Sequence, residues 1–363
     1  MAPSDDVPPG PSAGQRRGRE VETMSSIRMV ALAGMVAGSA LMAGGALAQD
    51  LRLAHWVPAQ HPLQPTGMEP WAASIAAASA GRLKITIFPA QQLGAAPDHY
   101  DMARDGIADI AFVNPGYQAG RFPIIAHGEI PFHITNAKGG SRALDAWYRE
   151  YADEEMGDVR FCMAFLHSPG TFHAKEKLTL PEDVAGKNIR PAQATIGRFV
   201  SMLGGASVWV PAPEARETLA RGAADAITFP WNSIYIFGID GITQHHLDIP
   251  LYVTTFVLVM NKARYEGLAD ADRQVIDEHC TSEWAEKMAS GWADWEDEGR
   301  TRMIEDPAHT VYEPTAEDVQ AWRDAAAPLL DAWKADVAAK GYDADAIHEA
   351  LIGSLEEHGA LYE

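Results

Sequence analysis

The chain has 363 residues, 47% of them apolar, and carries 29 Lys and Arg against 50 Asp and Glu, a net charge of −21. A field of that sign repels phosphate backbones and anionic lipid surfaces, which excludes nucleic acid as a partner. Length and apolar content suffice for two lobes with cores of their own.

The first 48 residues are set aside from the fold. From Met24 the chain reads "MSSIRMVALAGMVAGSALMAGGALAQD": one arginine, an apolar stretch from Met29, then Ala46-Leu47-Ala48 before Gln49. Charged, apolar and small residues in that order make a cleavable secretory signal over 24–48. The apolar stretch is short and broken by Gly and Ser, which argues against a membrane anchor. The polar, Pro- and Gly-rich segment before Met24 reads as an upstream start or a disordered extension. The expectation is a periplasmic chain beginning at Gln49. The first 48 residues hold four arginines and four acids, so their removal leaves −21 unchanged. Export permits a disulfide between Cys162 and Cys280. Cys280 falls in a helical pattern and Cys162 in an apolar strand, so the reading favours two buried thiols, with a bridge as the alternative.

After Gln49 strands and helices alternate. "LRLAHWV" is a short strand, and residues 65–81 put Met68, Trp71 and Ile75 on one helix face before the stop at Gly81. "RLKITIFP" alternates Leu83, Ile85 and Ile87 against Lys84 and Thr86; "PDHYDMARDG" is helical and "IADIAFV" a buried strand. Strands separated by single helices predict an α/β lobe.

A second series starts near Val159 with strand "VRFCMAFL", loop "HSPGTFHAKEK" and strand "GKNIRP". Ile196, Phe199, Val200 and Leu203 then recur at helical spacing. The residue before a proline is pushed out of the α region, so Arg190 stands where the strand ends and the helix has not begun. Strand "ASVWVP", helix "PEARETLARG" and strand "ADAITF" follow, and "LYVTTFVLVMNK" carries the chain back. The expected division is 49–165 plus 254–363 for one lobe and 166–253 for the other. After Gly267 an apolar stripe from Ile276 to Trp295 predicts one helix of about 35 residues, or ~50 Å at ~1.5 Å per residue, long enough to brace both lobes. Two helical stretches, 315–339 and 343–358, close the chain.

No G-x-S-x-G, G-x-G-x-x-G, C-x-x-C or H-E-x-x-H motif is present. His245, His246 and Asp248 are the best enzyme-like cluster, yet adjacent histidines point apart in a strand. Pro131 breaks any shared face of His127, Glu129 and His133. Ligands of open α/β sheets lie beyond strand carboxyl ends, where Arg190 stands, and a guanidinium fork matches a carboxylate with two parallel hydrogen bonds. The competing role is an internal ion pair.

The chain also resembles a known family, the periplasmic solute receptors of tripartite ATP-independent (TRAP) transporters. The resemblance runs through "FPAQQLG" (88–94), "GIADIAFVNPGY" (106–117), "EIPF" (129–132), "LPEDVAGKNIRPA" (180–192), "LGGASVWVPAPEARETLARGAADAITFP" (203–230) and "LVMNKARYEGL" (258–268). It implies an α/β, two-lobed periplasmic binding protein (a clamshell) with hinge strands and a long bracing helix. It further implies an organic-acid ligand, TRAP membrane subunits as partners, a monomer and no cofactor. The family's carboxylate-binding arginine falls on Arg190. "ADAITFP" departs from the family's Asp-Gly-x-x-Asn-Pro pattern: Asp225 is kept, Ala226 stands at the glycine and Phe229 at a position that often offers an amide. Some members hold a keto acid through a metal bound by a Glu in this stretch; Thr228 and Phe229 offer no carboxylate, so no metal is expected.

Other candidate ligand residues sit at strand ends: His55 and Trp56, Gln91 and Gln92, Asn114 and Tyr117, His167 and Thr171. Asn232 could supply the missing amide, and Phe229 and Trp231 could stack on a flat ligand or fill core. No second arginine accompanies Arg190, since Arg198 falls on the outer helix face. The favoured ligand is therefore a monocarboxylate with an aromatic or apolar body; the alternatives are a small hydroxy or keto acid or a four-carbon dicarboxylate. The competing class is an exported hydrolase or lyase using His167, His173 and Glu176.

Overall fold

The computed structural model describes residues 48–362; all but Ala48 of the expected signal segment lies outside them. In chain order the strands are β1 (Gln49–Ala54), β2 (Leu83–Phe88), β3 (Ile110–Val113), β4 (Arg160–Leu166), β5 (Thr171–Ala174), β6 (Asn188–Arg190), β7 (Ala206–Ser207), β8 (Ala226–Phe229), β9 (His245–Leu247), β10 (Thr255–Met260) and β11 (Thr310–Tyr312). They build two sheets, ordered β2-β1-β3-β10-β4 and β11-β9-β5-β8-β6-β7. The architecture is a two-lobed α/β fold.

In the first sheet β1 runs parallel to β2 and β3, and helix Glu69–Ala78 makes the β1–β2 crossover that parallel pairing requires. β10 is antiparallel to both neighbours, β3 and β4. It reads "TFVLVM", every residue buried, as a strand covered on both faces must be. In the second sheet β6 lies parallel between β7 and β8.

Five features differ from the sequence expectations. "HSPGTFHAKEK" is not all loop: Thr171–Ala174 is a central strand, antiparallel to β8 and β9. Both its faces are covered, so it shows no polar alternation. Part of 254–363 joins the second lobe, because β11 extends the second sheet beside β9 and Trp322 packs on Phe172 and Phe199. The long helix is broken into Asp270–Glu278 and Ser282–Glu305, the latter capped by Thr281, which accepts from the Trp284 N–H. Its 24 residues span ~36 Å, less than the sequence pattern suggested. Cys280 sits at that break rather than inside a helix, and there it forms a disulfide with Cys162 of β4. Two free thiols are thereby corrected to one bridge: the periodicity of the flanking helices hid the interruption.

Helix Ser282–Glu305 still touches both lobes, through glycines at close approaches. A Cβ at Gly291 would stand 2.3 Å from the Thr66 hydroxyl in the first lobe, and one at Gly299 would stand 2.2 Å from Asn232 in the second. The stretch 315–339 is likewise two helices, Ala316–Ala326 and Pro328–Ala339, with the chain restarting at Pro328. Among the described residues no helix is long and apolar enough to cross a membrane.

Candidate functional site

Arg190 is the last residue of β6; Pro191 follows, and helix Ala194–Met202 begins four residues on. Ala192 N–H donates to Thr228 Oγ1, which holds this turn against the end of β8. The guanidinium is therefore carried on a rigid strand end. It is only 1% exposed. Its Nε donates to the Val210 carbonyl at 3.0 Å and its fork lies 5.4 Å from the Phe229 ring centre. Nη1 has no hydrogen-bond partner, and Arg190 forms no salt bridge among the described residues.

Around it lies a narrow cavity between the two sheets, with about 360 Å³ of atom-free space, part of it open to solvent. Of the sequence candidates, Arg190, Trp56, Asn114, Tyr117, His167 and Phe229 line it. Trp56 stacks on Phe112 at 5.3 Å and leaves its indole N–H unpartnered. Tyr117 crosses the lobes: its hydroxyl accepts from the Ala212 N–H at 2.9 Å. Asn114 Oδ1 accepts from the Gly116 N–H, which turns the chain after β3. His167 is fully engaged, with Nδ1 on the Ser168 carbonyl at 2.6 Å and Nε2 accepting from the Thr254 N–H at 3.1 Å. Burial lowers its pKa to about 4, so the ring is neutral.

The other candidates are occupied elsewhere and do not line the cavity. Thr171 donates to the Leu247 carbonyl within the second sheet. Trp231 packs edge-on to His173, behind the cavity wall. The Asn232 side chain donates to the Trp295 carbonyl, and its N–H goes to Glu296. His55 is bonded to Gln64 at 2.9 Å. Gln91 accepts from the Ala96 N–H, and Gln92 is exposed.

The hydrolase constellation does not assemble. His173 is bonded to His246 at 2.7 Å inside the second sheet, and Glu176 is an exposed side chain paired with Lys187. The cluster at 245–248 also disperses, with His246 reaching His309 and Asp248 paired with Arg300. Among the described residues no group of three or more His, Cys, Asp or Glu could hold a metal ion.

Sequence reasoning missed His61, Tyr252, Phe256 and Trp292, which also line the cavity. Tyr252 precedes β10 and keeps an unpartnered hydroxyl; Trp292 belongs to the brace helix and packs on Phe256 at 5.5 Å. An apolar stripe hides such a residue, because packing and ligand contact use the same face. Behind this wall Glu296 accepts from the Asn232 and Ser233 N–H groups, the Ser233 hydroxyl and the Trp292 indole. Burial nevertheless raises its pKa to about 7. All its acceptor capacity faces protein, so the cavity receives no carboxylate. Arg190 is the one Lys or Arg among the lining residues.

Comparison with known proteins places the chain in a family. Residues 53–336 match the family model DctP, bacterial extracellular solute-binding protein, family 7. A TRAP solute-binding protein from Rhodoferax ferrireducens, crystallised with copurified benzoate, is 28% identical with a TM-score of 0.81, over 86% of this chain and 98% of that one. A marine-metagenome TRAP solute-binding protein specific for aromatic acids, in complex with 3-hydroxybenzoate, is 27% identical with a TM-score of 0.81, over 86% and 99%. One from Bordetella bronchiseptica with bound mandelate is 25% identical with a TM-score of 0.80, over 85% and 99%. With two α/β lobes, a brace helix touching both and the family model matching most of its length, the chain belongs to family 7 of the bacterial extracellular solute-binding proteins, the solute receptors of TRAP transporters.

Proposed function

We propose that the protein is the receptor for an aromatic monocarboxylate, which it captures between its lobes through Arg190 and delivers to the membrane subunits of a TRAP transporter. The observation that carries this reading is a guanidinium that is buried, unpaired by any acid among the described residues and open at Nη1 in an aromatic-walled cavity. An unpaired charge removed from water is costly, and a ligand carboxylate offsets that cost with charge-assisted hydrogen bonds. Trp56, Phe229, Phe256 and Trp292 surround the remaining volume with rings. The similar receptors that hold benzoate, 3-hydroxybenzoate and mandelate support the same ligand class. A four-carbon dicarboxylate fits less well, since its second carboxylate would lack a cation.

A thermal-shift panel tests the proposal, with benzoate, hydroxybenzoates and mandelate set against malate, succinate and pyruvate. The aromatic acids are expected to raise the melting temperature and to bind in calorimetry at micromolar concentration. Stabilisation by the aliphatic acids alone would refute the aromatic assignment.

A further inference from the structure

Besides Arg190, the Trp56 indole N–H and the Tyr252 hydroxyl, the cavity has a further polar edge. His61 follows β1 in the sequence "PAQHP", is 1% exposed and lines the cavity. The Leu63 N–H donates to its Nδ1 at 3.3 Å. A neutral imidazole carries one proton, so the occupied Nδ1 places it on Nε2. Burial and the neighbouring His55 and His167 lower the pKa to about 3, so this ring stays neutral. Nε2–H has no acceptor among the described residues, whereas both nitrogens of His167 are taken. The His61 ring is fixed by Trp292 and Trp295 at 4.9 and 5.7 Å, while Arg190 lies against Phe229 and Val210. Cation and neutral donor thus belong to different walls.

Resting on the receptor reading above, we infer that His61 is a specificity-determining residue whose Nε2–H donates to an oxygen acceptor on the ring or side chain of the bound aromatic acid. The ligand is then an oxygen-bearing aromatic carboxylate, with Arg190 on its carboxylate and His61 on its hydroxyl, carbonyl or ether oxygen. An acid lacking that oxygen leaves the buried N–H of His61 unpaired, and such an orphan donor is where discrimination arises.

Calorimetry with benzoate, the three monohydroxybenzoates and mandelate tests this. At least one oxygen-bearing acid should bind about tenfold tighter than benzoate, the worth of one hydrogen bond made instead of left open. His61→Asn keeps an acceptor for the Leu63 N–H but lacks the distal donor; it should bring the ratio of the preferred acid's affinity to that of benzoate to within about twofold, whatever the change in either affinity alone. His61→Gln returns a distal N–H and should recover part of the preference. A preference unchanged in His61→Asn, or none in the wild type, overturns the inference. Histidine-labelled wild type gives a readout independent of whether variants fold. The His61 Nε2–H resonance should gain exchange protection with the preferred acid and not with benzoate; no difference between the two refutes the role. If every aromatic acid binds but none is preferred, only the His61 assignment falls. If none binds, the receptor reading falls with it.

Discussion

Replacing Arg190 with methionine separates a ligand-binding cation from a structural one. In the unliganded protein the guanidinium has one fixed hydrogen bond, from Nε to the Val210 carbonyl, and no anionic partner among the described residues. Arg190→Met preserves the linear stem, leaves that carbonyl without its donor at about 1 kcal/mol, and removes an unpaired buried charge, which acts in the opposite direction. The melting temperature of the unliganded protein should therefore move by less than about 4 °C. Ligand binding should behave differently, because a carboxylate left in that cavity without its partner loses roughly 2–5 kcal/mol. That corresponds to roughly 30-fold to several-thousand-fold in affinity. Calorimetry with the best acid from the thermal-shift panel, alongside thermal unfolding of the unliganded protein, measures both. Affinity within threefold of wild type would remove Arg190 from the site. A large stability loss, of the roughly 3–5 kcal/mol seen when a buried ion pair is broken, would show that it serves the fold.

Two further outcomes concern stability. The Cys162–Cys280 bridge closes a sequence separation of 118 residues, and loops of that size are worth roughly 4–5 kcal/mol in chain entropy. Reduction should lower the melting temperature by calorimetry while ligand affinity at room temperature persists, since neither cysteine lines the cavity; an unchanged melting temperature with both thiols titratable would refute this. Glu129 is buried with Thr195 and Thr255 hydroxyls as donors, and burial raises its pKa to about 8. The folded state then holds a proton that the unfolded chain releases above about pH 4.5, so this group destabilises the protein progressively from there to pH 8, by at most about 1.4 kcal/mol per pH unit. Glu129→Gln should gain stability relative to wild type as pH rises from 5 to 8 in denaturant titrations, and parallel curves would refute the shift.

Sequence alone determined the local elements and the strand end that carries Arg190. Periodicity marked β1 to β4, β6, β8 and the helix after Arg190, and the Arg-Pro junction put a guanidinium at a strand end, because those signals reside in neighbouring residues and in backbone sterics. Only tertiary structure decided which candidates reach the cavity. Asn232 and Thr171 have suitable chemistry but spend their donors on Trp295 and Leu247, while His61, Tyr252 and Trp292 come to the cavity from segments that read as loop, strand and core. The break at Cys280, its bridge to Cys162 and the attachment of β11 to the second sheet belong to the same class. Each depends on contacts between residues far apart in the chain, and the free energy of such a contact is written in neither segment by itself.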